Sequence, residues 1–369
     1  MTENSSSTPP VPISSSAAAL DADPYVLGVE NGILDLRTGA LQPARPEILV
    51  TKRGGTLYVA EAECPTWLAC IERILPNAEA RSYMQRVIGY LLTGLTDEQC
   101  FFFLYGNGAN GKSTVAEVIR MLLGDYAVVV PTEVLTCVRR DSSGPSPDLM
   151  LLKGARGAVA NETEEGSRFA EATLKHLTGG DAITARYPYG LFVTWQPTHK
   201  LIILGNHRPV IRGTDGGIWR RLVLIPFEVT IPPEERDPKL LEKLKAELPG
   251  ILNWALDGLR EYQRQGGLHP PPSIKAAGAQ YRQDMDIFGD WLSEQTVQEP
   301  EAATKAADLH TAYANWARAA GWTPLTRHSF SRRLTERGFS IRNHGQARAK
   351  HAMGLKLNQD GINSLCSRG

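Results

Sequence analysis

Short apolar runs without alternation punctuate the middle of the chain, at 101–104, 157–160, 201–204 and 222–227. A strand covered on both faces reads this way, so the runs predict a parallel sheet. Helical periods lie around them. Met84, Val87, Ile88, Leu91 and Leu92 repeat at i, i+3, i+4, i+7 and i+8, and 115–123 is an amphipathic stretch closed by Gly124. A further helix is expected over 168–177. Alternating segments over 25–58, broken at Asn31-Gly32 and Thr38-Gly39, predict a small β-rich region with hairpin turns. Two β-prone runs, 182–187 and 191–195, meet at Pro188-Tyr189-Gly190, a hairpin signature.

Towards the carboxyl end, 237–265 has helical periods interrupted at Pro249-Gly250, and His269 precedes three prolines that make a stiff turn. Leu309, Tyr313 and Trp316 fall on one helix, a turn follows at 321–324, and a second helix runs through Phe330 and Leu334 to Arg337. This is the spacing of a helix-turn-helix, with 339–357 able to form a wing. The pattern divides the chain into 1–24, a Ser/Ala/Pro-rich tail expected to be disordered; 25–95, a β/helical region; 96–235, an α/β core; 236–285, a helical lid and linker; and 286–369, a winged-helix-like module.

Composition narrows the classes. The 369 residues carry 40 basic and 40 acidic side chains, so any nucleic-acid surface must be local. Cys64, Cys70, Cys100, Cys137 and Cys366 include no C-x-x-C pair, which argues against a disulfide framework or a cysteine zinc site and for a reducing cytosol. No apolar run approaches the roughly 18 residues of a membrane span. The first residues lack the cationic-then-apolar order of a secretory signal.

The chemistry starts after the run at 101–104. GNGANGKST fits G-x-x-x-x-G-K-[ST] through Gly106, Gly111, Lys112 and Ser113, between an expected strand and an expected helix. Gly106, Gly108 and Gly111 let the backbone curl around a phosphate, with Asn107, Ala109 and Asn110 completing the loop. Lys112, on an exposed loop, would reach β/γ-phosphates, and Ser113, with Thr114 as the fallback, would ligate Mg²⁺. ATP hydrolysis also needs a carboxylate at a neighbouring strand tip. Glu162 comes first after the run at 157–160, with Glu164 second choice. The amide of Asn206, at the tip of the 201–204 run, is placed to hold a γ-phosphate or the attacking water. Arg220 and Arg221 stand directly ahead of the next strand, where an arginine finger is worth about 10³–10⁵ in rate.

Two surfaces suit DNA. Arg186, Tyr187, Tyr189, Trp195, His199 and Lys200 crowd the predicted hairpin, and cations with stacking rings fit a single strand. Arg327, Arg332, Arg333, Arg337, Arg342, Arg348 and Lys350 face one acid, Glu336, between 327 and 350, a local footprint for phosphates.

The order GNGANGKST, VANETEEG, LTGGDAITAR, LIILGNHRP, GIWRRLVLIPF resembles the helicase domain of phage and plasmid primase-helicases, superfamily 3 helicases within the AAA+ ATPases. Residues 25–94 are similar to the region preceding the helicase in poxvirus-type members. The resemblance implies an AAA+ P-loop core, ATP and Mg²⁺ as cofactors, and a hexameric ring moving 3′ to 5′ on single-stranded or forked DNA in replication, in the cytoplasm of a bacterial host. It also implies Lys112 and Ser113 as Walker A, Glu162 as the Walker B acid, Asn206 as sensor 1, Arg221 as the finger with Arg220 as runner-up, and the hairpin at 186–190 as the channel-facing DNA contact. Only about 25 residues precede the family region, so primer synthesis by this chain is not expected and a separately encoded primase or polymerase would be its partner. A replication initiator or loader that uses ATP without unwinding is the competing expectation.

Overall fold

The computed structural model describes residues 20–45, 47–137, 147–161, 166–211, 216–344 and 349–366, in two compact units divided after Tyr281. The first unit opens with β1 (Val26–Val29), β2 (Gly32–Asp35) and β3 (Leu41–Gln42), an antiparallel meander turning at the expected Asn31-Gly32 and Thr38-Gly39. Helices α1 (Pro65–Ile74) and α2 (Ala78–Leu91) follow, then β4 (Phe101–Tyr105), α3 (Lys112–Leu123), β5 (Ala127–Val129), α4 (Pro147–Met150), β6 (Gly157–Ala160) and α5 (Glu171–Leu177). The hairpin β7 (Ile183–Ala185) and β8 (Val193–Trp195) precedes β9 (Lys200–Gly205), α6 (Gly216–Trp219), β10 (Leu222–Pro226), α7 (Leu240–Ala246), α8 (Leu248–Gln265) and α9 (Pro272–Asp284).

The four apolar runs are all strands of one parallel sheet, in the order β10-β4-β9-β6-β5. Phe101, Phe102, Phe103, Leu201, Ile202 and Ile203 are each at most 1% exposed, which is why these segments show no alternation. This is a mixed α/β fold with a P-loop-type core. Because β9 lies between β4 and β6, the chain leaves three neighbouring strands at the same edge of the sheet, the edge at which open α/β sheets bind ligands.

The 47–59 stretch, expected as strand, is not one. Its backbone is engaged with the end of α3: Gly55 N donates to Leu122 O at 3.1 Å and Arg53 O accepts from Asp125 N at 2.8 Å. A Cβ on Gly55 would stand 2.0 Å from Met121 O, so the two backbones touch. The interruption expected near Pro249-Gly250 falls at Glu247, between α7 and α8, and Pro249 sits in the first turn of α8, where proline's missing N–H costs no helical bond. Helices α2 and α8 approach so closely that a Cβ on Gly89 would lie 2.3 Å from Leu259 N, and one on Gly258 2.1 Å from Gln85 O.

At the opposite edge of the sheet, Lys200 and His199 are each 3% exposed and Arg156 4%. Lys200 Nζ donates to Thr93 O, Arg156 donates to Leu92 O and, at 2.5 Å, to Val26 O, and the two cations lie over the rings of Tyr90 and Tyr126 at 5.0 and 4.4 Å. The carbonyls at the end of α2 carry the negative pole of its dipole, which suits buried cations. Burial, then the Arg156 charge, drives the Lys200 pKa well down. This corrects the expectation that Lys200 binds DNA: it is a core side chain at the start of β9, and His199 beside it is buried too.

The second unit, from Arg282, is built from α10 (Ile287–Gln295), β11 (Thr296–Lys305), α11 (Ala306–Ala319), α12 (Arg327–Glu336), β12 (Ile341–His344), β13 (Ala349–Leu357) and α13 (Gln359–Cys366). Phe288, Trp291, Tyr313 and Phe330 form its aromatic core, with ring centroids 5.3–5.7 Å apart. Thr326 caps α12 by accepting from Ser329 N at 3.3 Å. The sheet is antiparallel in the order β11-β13-β12. Both helices and the hairpin after them stand where the periodicity put them, whereas β11 and α13 carried no signal that the pattern resolved.

Burial, with the Lys200 charge second, pushes the His199 pKa down to about 4. The unfolded chain therefore binds the extra proton, and stability present above pH 6.5 is lost as pH falls towards 4, by about 3 kcal/mol. His199→Gln should flatten this limb; the check is the difference between wild-type and variant unfolding free energies across pH 4–7. A constant difference would count against a neutral buried imidazole.

Candidate functional site

The carboxyl ends of β4, β9 and β6 open onto a cavity of about 630 Å³, lined by the loop from Gly108 to Thr114 and by Asn161, Asn206, Glu117 and Arg120. The loop has no room for side chains at its two fixed glycines. A Cβ on Gly106 would lie 2.2 Å from Phe227 O, and one on Gly111, whose φ is +85°, 2.7 Å from Ile74 Cγ2 of α1. Gly108 meets nothing within 4 Å and faces open space. Gly111 is the N-cap of α3, so the first-turn N–H groups, which no helical carbonyl can accept, stand at the cavity with the positive end of the helix dipole. Glycine backbone, helix N-terminus and cavity together fit a polyphosphate.

Lys112 is 5% exposed, contrary to the expected exposed side chain. Its ammonium donates to Gly106 O, to Asn110 Oδ1 at 3.1 Å and to Asn206 Oδ1 at 3.0 Å. The loop lysine and the amide at the tip of β9 are thus in direct contact, 94 residues apart in sequence. Ser113 is exposed at the cavity and Thr114 half-buried; Asn107 and Ala109 are exposed on the loop's outer turn. Glu162 and Glu164 lie outside the described residues. The chain runs into them from Asn161, whose carbonyl accepts from Thr132 Oγ1 at 2.5 Å.

The two arginines ahead of β10 separate. Arg221 is 8% exposed and donates to Gly217 O at 3.1 Å, whereas Arg220 is exposed. The Arg221 guanidinium is held against its own chain, and the Arg220 side chain is open to solvent. The hairpin tip is open: Tyr187 is 54% exposed, Leu191 89% and Phe192 67%, and Tyr189, at φ +61°, is fully exposed. Arg186 stands over the Phe192 ring at 4.7 Å. On α12, Arg327 is exposed, Arg332 lies 3.6 Å from Glu336, Arg337 is bonded to Asp286, and burial lowers the Arg333 pKa. Arg348 lies outside the described residues.

Glu117, Arg120 and Asn161 line the cavity without having been singled out. Ser113, Glu117 and Arg120 are spaced i, i+4, i+7 along α3, a stripe legible once the helix register is fixed by the loop. Glu117 and Arg120 pair at 2.5 Å.

Residues 3–76 match the family described as D5 N terminal like, and 104–221 match a family of unknown function. A helicase-named protein of Acanthamoeba polyphaga mimivirus is 29% identical over 80% of this chain and 33% of its own length. A helicase-named protein of Frog virus 3 is 23% identical over 80% and 39%, and a primase-named protein of African swine fever virus 26% over 80% and 34%. The chain therefore spans about a third of the length of these relatives. The solved C-terminal region of NrS-1, at 11% identity and a TM-score of 0.48, aligns with 81% of this chain and 77% of that one. The mimivirus, Frog virus 3 and African swine fever virus relatives come from viruses of eukaryotic hosts and lend no support to a bacterial one. Among the described residues no helix is long and apolar enough to cross a membrane.

Lys112→Ala removes the donor to Gly106 O and Asn206 Oδ1 as well as the cation facing the cavity. Affinity for a fluorescent ADP analogue should fall by on the order of 10- to 100-fold, as expected for lost charge-assisted bonds; unchanged affinity in titrations would remove the loop from nucleotide binding.

Proposed function

We propose that this chain, whose residues 3–76 match the D5 N terminal like family, is a D5-like ATP-driven DNA helicase for the replication of a virus or other mobile element, acting as a homohexameric ring that moves 3′ to 5′ on single-stranded DNA. The observation that carries the reading is the contact between Lys112 and Asn206 at the mouth of the cavity. It joins a phosphate-binding loop to a strand-tip amide able to hold a γ-phosphate or orient the attacking water.

In this reading Lys112 and the loop amides bind the β- and γ-phosphates of ATP, and Asn206 orients water towards the γ-phosphorus. Ser113, with Thr114 as the fallback, and Glu162 would hold Mg²⁺, which would screen the charge of the phosphate oxygens. Glu162, or Glu164 in its stead, takes the proton of the attacking water. Arg220 reaches the nucleotide of the next subunit, because the buried Arg221 cannot leave its core without losing its bond to Gly217. The open hairpin, with Arg186, Tyr187 and Tyr189, holds single strand by charge and stacking. Arg327, Arg332, Arg333 and Arg337 of α12 would hold duplex phosphates, with Arg337 having to leave Asp286 to do so.

A loader that uses ATP only to assemble would share the loop and the arginines. A strand-displacement assay on a duplex with a 3′ single-stranded tail separates the two: ATP-dependent displacement supports the motor, and binding without displacement supports the loader. A finger acting in trans predicts that mixing Arg220→Ala with Lys112→Ala chains restores part of the hydrolysis that each lacks. No recovery in stable mixed assemblies would contradict it.

A further inference from the structure

Asn110 is an internal position of the loop that the phosphate-loop pattern leaves unspecified, yet it is 3% exposed and its amide is fully used. Nδ2 donates to Asn107 O at 2.9 Å and to Phe227 O at 3.1 Å, while Oδ1 accepts from Lys112 Nζ at 3.1 Å and from Lys112 N at 3.4 Å. One side chain thereby ties the outer turn of the loop, the residue after β10 and the loop lysine. Two backbone bonds run beside it: Phe227 N donates to Tyr105 O at 2.7 Å and Ile231 N to Ala109 O at 2.8 Å. The strand pinned in this way is the one that Arg220 and Arg221 precede.

We propose that Asn110 is a positioning residue for nucleotide binding: its amide braces the loop against the end of β10 and holds the Lys112 ammonium in register with the phosphate cradle. The proposal rests on the nucleotide reading of the cavity. Its chemistry needs an amide, because the same side chain must donate to two carbonyls on one side and accept from an ammonium on the other. A carboxylate of the same shape keeps the second function and reverses the first. Facing the carbonyls of Asn107 and Phe227 it is repelled, and facing Lys112 it holds the cation away from phosphate. Among the described residues the charged group bonded to Asn110 is Lys112; the other neighbours named are backbone carbonyls and, across the lysine, the neutral amide of Asn206.

The test is the dissociation constants for fluorescent ADP and AMP analogues, measured for the full chain with thermal unfolding alongside. Asn110→Ala should weaken binding about 10-fold or more, the loss of one to two bonds, with the melting transition retained. Asn110→Asp, isosteric and the variant that carries the test if the alanine form fails to fold, should weaken binding of the ADP analogue about 10-fold or more and of the AMP analogue, which lacks the β-phosphate that Lys112 meets, by about threefold or less. Wild-type affinity for the ADP analogue in both variants, or an equal loss for the ADP and AMP analogues, overturns the role of the amide. Wild-type protein that binds no ADP overturns the nucleotide reading itself.

Discussion

Everything functional in the first unit depends on one pairing: β9 hydrogen-bonds in parallel to β4 on one side and to β6 on the other, with Tyr105 opposite Gly205 and Ala160 opposite Ile203. That register delivers Gly106, Asn206 and Asn161 to one edge of the sheet, so a lysine and an amide 94 residues apart meet at 3.0 Å. The sheet needs no special geometry to do this. It needs strands so apolar that sliding by one residue would turn a polar end inward and an apolar residue out.

The far edge is held by the opposite means. There Arg156 and Lys200 are buried against the carbonyls that end α2 and against Tyr126 and Tyr90, fastening the amino-terminal meander and α2 to the starts of β6 and β9. Burying two cations is costly unless every donor is met, and helix-end carbonyls with aromatic faces meet them without a counter-charge in direct contact. The amino-terminal region also reaches the functional edge, since Ile74 of α1 fills the space in which a side chain on Gly111 would sit. The segments ahead of the loop are therefore packed against it and are not a separate appendage.

Much of this was legible in the sequence, for reasons that differ by element. Strands β4, β6, β9 and β10 could be read because burial on both faces leaves an unbroken apolar run, and the loop because its glycines answer a steric demand that Gly106 and Gly111 display. The 47–59 strap was misread because alternation signals a half-covered backbone without saying what covers it; here it is the end of α3. Lys200 was misplaced because its neighbours in sequence are a basic, aromatic hairpin, while its true partners, Thr93 and Tyr90, are more than a hundred residues away. Arg220 and Arg221 are adjacent and chemically equal, so only the direction in which each side chain leaves the backbone separates them. Asn110 could be read as part of the loop but not as its brace, because spacing reports where a residue stands and not which carbonyls surround it.

The proposed coupling of ATP turnover at the Lys112–Asn206 cavity to single-stranded DNA at the open β7–β8 hairpin can be measured directly. The most direct measurement is ATP hydrolysis with and without single-stranded DNA, for the intact chain and for one in which Tyr187, Tyr189, Leu191 and Phe192 are replaced by serine. The account predicts that DNA accelerates hydrolysis by the intact chain and that the substituted chain keeps its basal rate but loses the acceleration. Equal acceleration in both would contradict it.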